Sequence, residues 1–121
     1  MAKRIEKRNQ TTKLTLESFS PDELKGFVRD GLMTMNVSER EQFIRTLQAE
    51  VREMHVDLRA YLVPLGIPGR SPVDLTPTEV GHLVRYLKIN VPRAMTGVER
   101  AVAQFPVIAD KLVEPGHRLA A

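Results

Sequence analysis

Cysteine and tryptophan are both absent, and aromatic residues make up only 5% of the chain. Without cysteine there is no disulfide framework, no thiolate nucleophile, no zinc knuckle and no iron–sulfur ligation. Long apolar runs are missing as well. The most apolar stretch, Ala60 to Ile67, is cut by Pro64 and is too short to span a bilayer. Met1 to Gln10 is charged with no apolar segment behind it, which is not the pattern of a secretory leader. The glycines never form G-x-x-x-x-G-K, G-x-G-x-x-G or G-x-S-x-G, so the usual phosphate cradles and the nucleophile elbow are excluded. What is present is 42% hydrophobic and 27% charged residues in 121, the length of one domain, which is enough for a core without staples. The expectation is a soluble, cytoplasmic, non-enzymatic protein with no cofactor and no membrane partner.

Charge is unevenly placed. Residues 1–13 hold Lys3, Arg4, Lys7, Arg8 and Lys13 against Glu6, a balance of +4, while the rest of the chain carries thirteen cations against fourteen acids. The basic excess therefore sits in an N-terminal arm, residues 1–19, expected to be extended or flexible. Lys3, Arg4, Lys7 and Arg8 are the residues that such an arm would lay along nucleic-acid phosphates, releasing counterions. The competing use is a solvated terminus that aids solubility.

Beyond the arm the chain repeats one device, a Ser or Thr followed three residues later by an acid, often with Pro between. It occurs at Ser20-Pro21-Asp22-Glu23, Ser38-Glu39-Arg40-Glu41, Ser71-Pro72-Val73-Asp74 and Thr76-Pro77-Thr78-Glu79. The hydroxyl caps an orphan amide, Pro suits the first helical position and the acid faces the positive helix end. Helical spacing of apolar residues then predicts an all-α protein. Its single domain, residues 20–114, is expected to be a compact bundle of four main helices plus a short fifth, followed by a loose tail at 115–121.

The first helix is expected from Pro21 to Met35 with Leu24, Phe27, Val28, Leu32 and Met35 inward, weakened by Gly26 and Gly31 and left through Asn36. The second, from Glu39 to about Val63, is the expected spine, stopped by Pro64. Its seam of Ile44, Leu47, Val51, Met54, Leu58 and Tyr61 has coiled-coil spacing, but parallel pairing would set Glu50 and Asp57 opposite His55 and Leu62, which encodes no partnership. Ala49, Val56, Ala60 and Val63 form a second apolar strip, and this surplus favours a homodimer. A third helix is expected from Pro77 to Ile89, a fourth from the break at Pro92 to Gln104 and a last from Val107 to Val113.

Two binding surfaces follow from this layout. The first is a protein contact made by Val56 and Val63 together with the Pro- and Gly-rich loop carrying Leu65, Ile67 and Arg70. Leu65 and Ile67 are apolar residues held in a turn by Pro64 and Pro68, which limits the entropy lost on binding. The alternative is that both tuck under and close the bundle. The second surface is a helix-turn-helix over 77–104 that presents Arg93 and Arg100 to DNA beside the basic arm. Leu75-Thr76-Pro77-Thr78-Glu79 is similar to the opening of the DNA-binding domain in winged-helix response regulators, but the strands and glycine-containing wing that the family implies do not follow it. Metal chemistry has one pattern, Glu79-x-x-His82; the other E-x-x-H, Glu114 to His117, contains Pro-Gly and is not a helix interior. Glu79 already has a capping role, His55 has no catalytic partner in the sequence, and Ser20, Ser38 and Ser71 are read as caps.

Overall fold

The computed structural model describes residues 16–67 and 69–112, so Lys3, Arg4, Lys7, Arg8, Pro68 and the tail at 115–121 lie outside it. Among the described residues every regular element is helical, as the spacing predicts. Helix α1 spans Pro21–Met33, α2 Val37–Arg52, α3 Pro77–Asn90, α4 Met95–Ala103 and α5 Pro106–Leu112, with short 3-10 turns at Leu16–Ser18, Leu58–Tyr61, Pro72–Asp74 and Pro92–Ala94.

Helix starts follow the capping device, with one shift. Ser20 and Thr76 each accept the amide of the acid three residues on, and that acid accepts the cap's own amide in return. For α2 the cap is Asn36 rather than Ser38: its side chain accepts from Glu39 N–H at 2.8 Å, and Glu39 Oε1 receives Asn36 N–H at 3.0 Å. Asn36 is therefore an entry, not a left-handed exit, and α1 ends at Met33, where the Thr34 hydroxyl donates to Gly31 O. Ser71 makes no side-chain cap bond.

The expected spine from Glu39 to Val63 is two pieces. Helix α2 closes at Arg52, and His55 turns left-handed at a φ of 62°. His55 N–H donates to Arg52 O at 2.9 Å and Val56 N–H to Val51 O at 3.1 Å, the paired bonds of a Schellman stop, with Val51 and Val56 both buried. Histidine enters this backbone region more readily than most residues. The exposed carbonyls are met from a distant linker: Arg93 Nε donates to Met54 O at 3.1 Å and its Nη2 to His55 O at 3.4 Å. Leu58 still reaches the core, but from a separate 3-10 turn capped by Asp57.

Packing pairs α1 with α3 and α2 with α4, while α5 lies across α1. Two glycines set the spacing. A Cβ on Gly97 would lie 2.8 Å from Val51 Cα, and one on Gly81 would lie 2.9 Å from the Lys25 carbonyl, so both helix pairs approach backbone to backbone. Between the pairs run Leu24, Val28, Leu32, Phe43, Ile44, Leu47, Leu83, Leu87, Val98 and Ile108, each at most 1% exposed. Burying each leucine, isoleucine or phenylalanine contributes about 2 kcal/mol. Leu16 and Phe19, from the stretch expected to be an N-terminal arm, are part of this core.

Candidate functional site

The five residues expected to form a protein contact do not make one surface. Val56 is buried at 2% exposure, since the Schellman stop turns it inward, whereas Val63 is 64% exposed. Leu65 and Ile67 are half-buried against the core. Gly66 is left-handed at a φ of 79°, and Gly66 N–H to Val63 O with Ile67 N–H to Leu62 O builds a second Schellman stop, in which Ile67 is the apolar partner of buried Leu62. The Arg70 guanidinium grips Glu79 at 3.1 and 3.2 Å and donates to Asp74 O at 2.8 Å. Leu65, Ile67 and Arg70 are thus each tied to their own fold.

The helix-turn-helix expected over 77–104 is not a packed pair, because α3 rests mainly on α1 and α4 on α2. Arg93 holds the end of α2, Glu99 Oε2 accepts from Leu16 N–H at 2.8 Å, and Gln104 donates to Glu50 at 3.0 Å. Arg100 is exposed, and its side chain makes no hydrogen bond or ion pair among the described residues. Glu79 and His82 do not act together either. The Thr76 amide, and after it Arg70, hold the Glu79 carboxyl below its ordinary range, while His82 is exposed. Among the described residues no group of three or more His, Asp or Glu side chains stands close enough to hold a metal ion.

Among the described residues, a cleft of about 330 Å³ is lined by Thr34, Met35, Glu39, Gln42, Phe105, Pro106 and Val107. Its shape follows from two abrupt corners. The α1–α2 corner is drawn tight by Arg40 Nε donating to Leu32 O at 3.1 Å, and Pro106 starts α5 directly after α4 ends. Phe105 stands in the second corner, edge-on to Phe43 at 5.3 Å. Of the exposed apolar side chains, Val107 at 37% exposure lines this cleft, and Met33 at 61% precedes its Thr34 in the chain. A second hollow on the other flank of α2, about 210 Å³, is lined by Val37, Arg40, Glu41 and residues 73–76.

The cleft brings the Glu39 carboxylate, the Gln42 amide and the Thr34 hydroxyl together with apolar Met35, Phe105, Pro106 and Val107. In the sequence, Phe105 to Val107 read only as a break and a helix start. No helix of the described residues is long and apolar enough to cross a membrane. No protein-family model, curated protein or solved structure matches this chain.

Proposed function

We propose that this is a non-enzymatic regulatory or adaptor protein of the cytoplasm that acts by binding another protein chain through its helical surface, a second copy of itself being the first partner to test. The supporting observation is the Met35–Phe105 cleft, whose lining includes exposed Val107 and which exposed Met33 adjoins in the chain through Thr34. Apolar side chains in this exposure range, gathered at a concave site, are what a protein contact desolvates. Many of the described cations are already committed within the fold: Arg29, Arg59, Arg70 and Arg85 pair with acids, and Arg40, Lys88 and Arg93 with main-chain carbonyls.

Light scattering over a concentration series tests this reading. Association of the wild type that is lost in Val107→Lys and Met33→Lys, at unchanged helical content, supports the cleft face. A wild type that stays monomeric in the series, and binds a short DNA duplex at low salt but not at high salt, supports instead a DNA-binding regulator working through Lys3, Arg4, Lys7, Arg8 and Arg100. That salt dependence separates the two classes, because an apolar interface has little.

A further inference from the structure

We propose that Leu16–Phe19 is an exchangeable strap, and that the slot it fills takes the same segment from a second copy of this chain. Leu16 is wholly buried, and Phe19 lies edge-on to Phe27 of α1 at 5.5 Å. The main chain of Leu16 is gripped from two further helices. Its N–H donates to Glu99 Oε2 of α4 at 2.8 Å, and its carbonyl accepts from Lys88 Nζ of α3 at 2.8 Å. Helices α3 and α4 each pack chiefly on another helix, so the strap fills the seam between them. This is how a docked peptide is held: bonds to its backbone fix it, and two apolar side chains three positions apart supply the fit.

The rest of the fold does not depend on the strap for its ends. Helix α1 is closed by its own capping box, with Ser20 Oγ accepting Glu23 N–H at 3.0 Å and Glu23 Oε1 accepting Ser20 N–H at 2.8 Å. That capping box uses none of the residues from Leu16 to Phe19, and Ser20 joins them to α1. The occupant from a second copy is argued from the one already seated. Lys88 and Glu99 recognise main-chain atoms that every copy presents, and Leu16 and Phe19 supply identical side chains. Exchange of an identical element is a low-cost route to a dimer. The slot is separate from the cleft, so either can fail while the other stands.

Hydrogen exchange on the full chain is the first test. The Leu16 amide is expected to be at least about tenfold less protected than the amides of Val28 in α1 and Leu47 in α2, as for a locally opening segment. Equal protection overturns the strap. The second test uses full-length Leu16→Asp, whose own strap cannot seat, titrated with a fluorescent synthetic peptide of residues 12–20. Binding that disappears when Glu99→Ala is added supports the slot. Absence of binding by a variant with wild-type helical circular dichroism overturns it, and so does loss of helical signal in Leu16→Asp, since a strap whose anchor the fold requires cannot leave.

Discussion

Two faces of this protein carry apolar residues in turns, and they have opposite fates. Leu65 and Ile67, with Arg70 beyond them, belong to a loop whose Gly66 stop and Arg70 clamp turn it back onto the core. Met33, Val37 and Val107 flank helix caps and corners and stay exposed, Val107 in the lining of a cleft. Pro and Gly beside an apolar residue therefore do not mark a contact surface by themselves. A left-handed glycine followed by an apolar residue is also the signature of a Schellman stop, which buries that residue against its own helix. A cap's polar side chains, in contrast, satisfy the backbone and leave neighbouring apolar residues unused.

Substitutions can break or sharpen this contrast. The largest effect is expected at Val56, which the sequence places on one strip with Val63. Val56→Asp should cost about 3 kcal/mol or more by burying a charge, whereas Val63→Asp should stay within about 0.5 kcal/mol in urea titrations. Ile67→Ala comes next, at about 1–2 kcal/mol for a half-buried side chain, with association unchanged. His55→Gly should stabilise by about 1 kcal/mol, raising the melting temperature, because glycine carries no penalty in the left-handed region. No effect would mean that histidine carries no strain at this position, since the Arg93 bonds are to carbonyls that glycine keeps.

The smallest effect is a pH dependence. The Glu79 carboxyl is held below its usual range by the Thr76 amide and then by Arg70. A group whose folded pKa is lowered stabilises above its unfolded value and loses that contribution as pH falls through the folded one. The difference in melting temperature between wild type and Arg70→Ala should therefore narrow as pH falls below the ordinary carboxylate range, leaving what the Arg70 bond to Asp74 O contributes.

Much of the fold was legible because its signals are local. The Ser20 and Thr76 boxes place two helix starts, Pro92 and Pro106 mark two breaks, and the inward stripes of α1 and α3 are those read from spacing. The spine from Glu39 to Val63 misled because its seam continues past the true stop: Leu58 keeps the register from a different element. What ends α2 is partly a guanidinium from the α3–α4 linker, and no window of sequence around His55 contains it. Gly31 likewise reads as a weak point, although its missing Cβ admits Ile108, and nothing local to Gly81 shows that its missing Cβ admits the Lys25 backbone. The cleft was not legible, because its walls come from residues 34–42 and 105–107, brought together only by packing.

The most direct test of a contact through the cleft rather than the loop compares Val107→Lys and Arg70→Ala with wild type by sedimentation equilibrium over a concentration series, with urea stability measured alongside. Val107→Lys is expected to abolish association while keeping stability within about 0.5 kcal/mol, and Arg70→Ala to lower stability while association persists. Association that survives Val107→Lys but is lost in Arg70→Ala would contradict this, returning the contact surface to the loop.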